Sequence, residues 1–328
     1  MSTLATITPM LLPLITRPAR AFFAPVERLA GTPTIFDPSM NSNWRNSTPV
    51  APWIDLGWIS GLKRTSESTI GEASTGAPET VRLQVRRTLS AVVSFQFMTW
   101  SKLSMALATS SQHMNLLTPA ISSAPVGSGG KALSSRGIQP GSSAMELYIA
   151  SSASLRLQAG SLVVVDEDYT AQTGFIGAGI SAAYVNSANS VARDTDYIRR
   201  VSFNIGRIVA VSGDGGLQLA NPLPAGTPTS SMKVQQLNGF VDREGGSFFH
   251  EWSALFVVEG LQGETLFYHY PRLQTCQGAA EVNTPLSSSS LMVTQLDARF
   301  RAFPVTDGND GEQILCYRSF IPGRVNHV

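Results

Sequence analysis

The stretch from position 291 to 320 constrains the fold more than any other. Two alternating segments there flank an acidic, glycine-bearing turn, Asp307-Gly308-Asn309-Asp310-Gly311-Glu312. In the first arm Met292, Leu296, Ala298, Phe300 and Ala302 share one parity while Gln295, Asp297, Arg299 and Arg301 share the other, as a half-buried antiparallel strand requires. The second arm sets Ile314, Cys316, Arg318 and Phe320 against Gln313, Leu315, Tyr317 and Ser319, with a less clean alternation. The pair reads as a β-hairpin, and it points to a mainly β chain.

The rest of the sequence extends that reading. Residues 81–98 carry the longest strand signal: Val81, Leu83 and Val85 alternate with Arg82, Gln84 and Arg86, and Leu89, Ala91, Val93, Phe95 and Phe97 resume the odd parity, which fits a long or bulged strand. Residues 50–59 are strand-like, and the charged, glycine-bearing segment 63–80 after them reads as an exposed loop. Leu103, Ala106 and Leu107 fall at helical spacing within 101–111, with Ser101 available as N-cap. Further strands are expected at 233–241, 248–259 and 265–270, the last two joined by the five-residue connection 260–264. In the first of these, Phe248, Trp252, Ala254, Phe256 and Val258 point one way.

Three departures from this pattern divide the chain. Pro9, Pro13, Pro18, Pro25, Pro33 and Pro38 recur too often for helices or inner strands, so residues 1–45 are expected to form an extended arm. Residues 122–143 are rich in Gly and Ser and mark a boundary or flexible loop. Between 144 and 228 short strand signals follow one another closely, as in a small barrel or sandwich. The expected organisation is therefore an arm (1–45), a main domain built from 46–143 and 229–328, and an inserted β module (144–228).

Composition excludes several function classes. With 328 residues the chain can bury a sizeable core, as one large domain with an insertion or as two domains. Charged residues are 14% of it, against about 25% in ordinary globular domains, which points weakly to surface consumed by assembly or to a Ser/Thr-rich β protein. A net charge of +1, with 20 Arg and 4 Lys, offers no basic excess to neutralise a run of phosphates. Cys276 and Cys316 cannot make a disulfide framework or a multi-cysteine zinc site, so a reduced compartment is the default. The apolar segment 4–15 lacks a preceding Lys or Arg, is interrupted by Pro9 and Pro13, and is too short to span a bilayer.

No constellation for catalysis, cofactor binding or metal ligation stands out, and none is expected. His113, His250, His269 and His327 are scattered without the pairing a zinc site needs. Gly177-Ala-Gly179-Ile-Ser-Ala182 fits a dinucleotide fingerprint loosely but has no strand directly before it and no clear helix after it. Asp307, Asn309, Asp310 and Glu312 are better explained as turn formers than as calcium ligands. Asp166, Glu167 and Asp168 form the densest carboxylate cluster, yet neighbours on a strand face opposite ways. With Trp53, Trp58, Trp100 and Trp252 they motivate a carbohydrate-binding or hydrolytic alternative, although tryptophans at strand positions are more often core.

Three separated pieces carry a resemblance. They are Ile54-Asp-Leu-Gly-Trp58, the run 83–117 containing Ala106-Leu-Ala-Thr-Ser-Ser-Gln-His113, and the final eighty or so residues with Phe249-His-Glu-Trp252 and the closing hairpin. Together they cover a little over a third of the chain, and they resemble the major tail tube proteins of long-tailed bacteriophages. The resemblance implies a tail-tube-type antiparallel β-sandwich or barrel with a flanking α-helix, here carrying the inserted module. It implies a structural virion protein of the phage tail, made in the bacterial host cytoplasm, not an enzyme and without a cofactor. Six copies would associate edge to edge into rings that stack into a tube, or three if 144–228 is a duplicated half. Partners would be further copies and other tail proteins, with DNA passing through the lumen unbound and no membrane anchor. Strands 81–98 and 248–259 are the candidate lumen wall, and 1–45 and 63–80 the candidate contacts between rings. Another virion component, such as a capsid or connector subunit, is the nearest alternative.

Overall fold

The computed structural model describes residues 16–26, 32–40, 48–50, 53–100, 102–109, 112–116, 136–149, 157–166, 204–213, 215–223, 226–237, 240–243, 251–261, 263–276, 280–285 and 291–323. The protein is mainly β, with antiparallel sheets and a helix of eight residues. In chain order the elements begin with β1 (Ala19–Pro25), β2 (Ile54–Thr75), β3 (Thr80–Phe97), α1 (Lys102–Thr109) and β4 (Gln112–Leu116). Short strands follow: β5 (Arg136–Gly137), β6 (Glu146–Tyr148), β7 (Leu162–Asp166), β8 (Ile205–Val211), β9 (Gly216–Leu219), β10 (Lys233–Gln236) and β11 (Phe240–Arg243). The chain then returns to longer strands with β12 (Glu251–Glu259), β13 (Thr265–Thr275), β14 (Ala280–Pro285) and β15 (Met292–Ala302), and ends with β16 (Val305–Thr306), β17 (Gln313–Ile314) and β18 (Tyr317–Ile321).

Eight strands form one sheet in the order β14-β15-β3-β2-β1-β12-β13-β18. An additional pairing of β13 with β15, from Leu273↔Ala302 to Thr275↔Phe300, brings the ladder back on itself and closes six of the strands into a barrel. Alternation puts Phe23, Phe95, Phe97, Trp252, Phe256, Tyr270 and Phe300 inside. Their rings meet edge to face or stacked at centroid distances from 5.0 Å (Phe95 with Phe97) to 6.3 Å (Phe23 with Phe95), and each buried ring stabilises the fold by about 2–3 kcal/mol. The helix α1 adds Leu107 and Ala108 to this core, and the Thr275 hydroxyl donates to the Leu107 carbonyl at 2.7 Å.

A second apolar cluster covers the outside of β1, β12 and β13. Phe22, Leu255, Val257, Phe267 and Ile321 pack there under Phe36 and Trp53. β12 is thus buried on both faces, which explains why Leu255 and Val257 interrupt its apolar alternation.

Residues 136–237 hold a separate sheet in the order β5-β10-β7-β8-β9-β6. Its two ends meet at the Ile138↔Ile149 bridge, reinforced by Gln139 N–H donating to the Tyr148 carbonyl at 2.8 Å, so these strands also close, around Leu147, Val163, Val165, Ile208, Leu217, Leu219 and Val234. Gly206 is required by this packing, because a Cβ there would come within 2.8 Å of Leu219. β4 and β11 form a two-stranded pair of their own.

Several expectations need correcting. Residues 19–25 are not part of an extended arm outside the main domain: β1 lies between β2 and β12 in the middle of the large sheet. Its prolines bracket it, since Pro18 precedes the strand and Pro25 is its last residue, so the proline density of the first 45 residues hid an uninterrupted six-residue run. The small module reaches past both expected limits, because β5 and β10 lie outside 144–228 and each pairs within that sheet. The expected strand over 233–241 breaks into β10 and β11, which join different sheets. The turn at 307–312 closes only the two-residue hairpin of β16 and β17. The long arms on either side diverge, β15 to β3 and β14, and β18 to the first half of β13. Residues 1–15, 27–31 and 41–45 of the expected arm and 122–135 of the expected linker lie outside the described residues.

Candidate functional site

The segment 63–80 is not a loop. β2 runs on without interruption to Thr75, turns at 76–79 and returns as β3, paired from Lys63↔Ser94 to Thr75↔Thr80. β2 last pairs with β1 at Ile59 and β3 last pairs with β15 at Ala91. Beyond those residues the two strands pair with no further strand among the described residues and continue as a ribbon that projects roughly 35–40 Å from the barrel. Gly61 adopts φ +61° where β2 bends out of the barrel wall, next to the register shift between Ser60 and Lys63.

The ribbon has features that a free two-stranded hairpin does not sustain in water. Among the described residues no strand pairs with either outer edge over 63–75 and 80–90, which leaves backbone N–H and C=O groups there without a strand partner. Ile70, Val81, Leu83 and Val85 are all at least half exposed. Opposed pairs place Gly71 with Val85 and Ala73 with Leu83 on one face, where the Arg87 side chain lies over Gly71. The other face is polar: Ile70 opposes Arg86, and Gln84 donates to the Glu72 carboxylate at 2.8 Å. Two further register shifts leave Arg82 and Arg87 as extra residues on β3. Charges at bulges discourage indiscriminate strand pairing and so restrict which edge can dock.

Among the described residues, those singled out for chemistry do not converge. His269 is a buried structural residue: its Nδ1 lies 3.2 Å from the Ala254 carbonyl, its Nε2 accepts the Phe36 N–H at 3.3 Å, and its ring stacks on Tyr317 and meets the edge of Trp53. Burial, opposed by the Ala254 carbonyl, holds its pKa down to about 4, so it is neutral at physiological pH. His113 sits on β4 opposite Asp242, while His250, His327, 177–182, Glu167 and Asp168 lie outside the described residues. Asp166 ends β7. Asp307 accepts the Asn309 N–H and the Tyr317 hydroxyl, as a turn residue does, which holds its carboxyl below the usual range. Among the described residues no three His, Cys, Asp or Glu come together as a metal site.

Trp252 is core, Trp53 belongs to the outer apolar cluster, Trp58 lies beneath the Arg20 guanidinium, and Trp100 donates to Glu281 at 3.2 Å. Of the two expected lumen strands, β12 offers no face to a channel, being buried on both sides. β3 keeps Val92, Ser94 and Gln96 half-exposed on its outer face, where they line a groove of about 620 Å³ together with Lys63, Asp297 and Arg299. Among the described residues no helix is long and apolar enough to cross a membrane.

Half of the projecting ribbon was read from sequence, as the first part of the strand expected at 81–98; the other half, 63–75, escaped because it lacks the alternation by which strands are recognised. The turn residues at 76–78, directly before that expected strand, were the usable signal for a hairpin. Neither a protein-family model nor a curated protein sequence matches this chain.

Proposed function

We propose that this protein is a structural subunit that assembles with copies of itself, and that the assembly is the tube of a phage tail. The observation that carries the reading is the ribbon of β2 and β3, which among the described residues leaves two strand edges and four large apolar side chains uncovered at the end of a well-packed barrel. Such an element is stabilised when another chain supplies the missing strand and covers the face of Ala73, Leu83 and Val85. A heterologous contact of this kind, repeated by rotation, closes into rings or propagates along an axis. The resemblance of 54–58, 83–117 and the last eighty residues to tail tube proteins supplies the identity of the assembly: six subunits per ring, rings stacked in the virion tail, DNA moving through the lumen without specific contacts. The exposed groove beside β3, and not β12, then becomes the candidate channel wall.

Electron microscopy of the purified protein tests this. Rings or tubes with a central channel are expected for the intact chain, and a variant in which 65–89 is replaced by a short turn should remain a folded monomer. A monomer at all concentrations for the intact chain would refute the reading, as would tubes formed equally well without the ribbon.

A further inference from the structure

At the end of the large barrel where β1 begins and β2 bends outward lies a cavity of about 560 Å³. Arg17, Arg64 and Tyr268 supply its polar wall, and Leu62, Val258 and Leu266 part of its apolar wall. Arg64 is held firmly. Its Nε donates to the Tyr270 hydroxyl at 2.5 Å, its Nη2 approaches the Cys316 sulfur at 3.6 Å, and its guanidinium carbon lies 4.1 Å from the centre of the Tyr268 ring. The hydroxyl and the thiol are neutral, because burial pushes both Tyr270 and Cys316 above their ordinary pKa.

The positive charge of this wall is therefore uncompensated. Among the described residues no carboxylate lines the cavity and none forms an ion pair with Arg17 or Arg64. Glu259 meets Arg17 only through its backbone carbonyl, which accepts the Arg17 N–H at 2.9 Å, and the Glu264 carboxylate folds over Gly260. Burial of the Arg64 guanidinium is offset by the Tyr270 hydroxyl, so it stays cationic, and its planar fork matches the oxygens of a carboxylate or phosphoryl group. The volume lies within the range of about 300–1,000 Å³ typical of small-molecule sites, so there is room beyond the anionic group itself.

We propose that this cavity is an oxyanion-binding site, in which a carboxylate or phosphoryl group sits between Arg17 and Arg64 and an apolar carrier, where there is one, lies on Leu62, Val258 and Leu266. The site is independent of the assembly reading, since it is complete within one chain. Isothermal titration calorimetry of the intact protein with inorganic phosphate, octanoate and 1-octanol tests it. At least one of the anions should bind, the neutral alcohol should bind about tenfold more weakly than octanoate or not at all, and R64Q should weaken the anion about tenfold. Phosphate binding as well as octanoate would identify a free oxyanion as the ligand, and tighter octanoate an amphiphilic one. If R64Q loses its fold along with the Tyr270 contact, R17Q at the exposed rim serves instead, with an expected weakening of about threefold. No binding of either anion up to about 10 mM, or affinities unchanged in the variants, would overturn the proposal.

Discussion

The ladder of β2 and β3 is continuous, yet its two halves obey different rules. Within the barrel Ala91, Val93, Phe95 and Phe97 face a closed aromatic core, and the strands on either side satisfy both edges. Past Leu89, which still packs on the core, the same strands with the same backbone pairing meet no further strand among the described residues and expose Val85, Leu83 and Val81. Cross-strand hydrogen bonds thus extend a strand beyond its fold but contribute little net stability there, because water competes for each of them. What holds the barrel is burial; what would hold the ribbon is a second chain.

The sharpest way to break this comparison is to remove one ring from the core. Phe300→Ala should destabilise the subunit by about 3–5 kcal/mol in denaturant unfolding, because Phe300 is fully buried and contacts both Phe23 and Phe95. A loss below 1 kcal/mol would mean that the barrel core is not what stabilises the chain.

His269 should make the barrel side of the molecule pH-sensitive in a way the ribbon is not. Its pKa is depressed in the folded state to about 4, so between that value and its unfolded value near 6.5 the unfolded chain binds more protons. Stability is therefore full above about pH 6.5 and falls as the pH drops toward 4, by up to about 3 kcal/mol in total. Unfolding midpoints measured across that window should slope accordingly, and His269→Gln should flatten the slope.

A smaller effect is expected at Glu251, whose carboxylate accepts from Arg272 Nε at 2.6 Å and Nη2 at 2.8 Å and from Gln274 at 2.9 Å. Glu251→Ala should cost about 1–2 kcal/mol, since the fork is bidentate and partly screened by solvent. Arg272→Ala in the same background should then cost much less than it does alone, as a double-mutant cycle would read.

On the ribbon the stability effect should nearly vanish. Leu83→Ser is expected to change the unfolding free energy of the subunit by less than about 0.5 kcal/mol, and yet to raise the concentration needed for assembly about tenfold or more. Hydrogen exchange sharpens the contrast: amides of 63–75 and 80–90 should exchange quickly in the subunit and become protected on assembly. Fast exchange that persists in the assembled state would show that the ribbon is not the contact.

Much of the barrel was legible because burial leaves a period in the sequence. The odd-parity run from Leu89 to Phe97 and the alternation of β15 from Leu296 to Ala302 are consequences of a wall with one apolar face. The helix at 102–109 was equally legible from Leu103, Ala106 and Leu107. β13 was underestimated because Pro271 interrupts it. The structure accommodates that proline at a register shift, where the Ser253 hydroxyl donates to the Pro271 carbonyl at 2.7 Å. At the barrel mouth Arg64, Tyr268, Tyr270 and Cys316 come from three distant stretches of chain, and no local pattern links them.

The sequence by itself determined that the chain is mainly β, where its strongest strands and its helix lie, and that its histidines and cysteines form no recognisable metal or catalytic motif. These are local properties, written in side-chain period and residue type. Tertiary structure alone decided that β13 pairs with β15 to close the barrel, that β1 enters the middle of the sheet, that the closing hairpin splits its arms, and that 63–75 continues as strand. Each of these depends on which edge meets which, and backbone hydrogen bonds, being the same for every residue, leave no trace of their partner in the sequence.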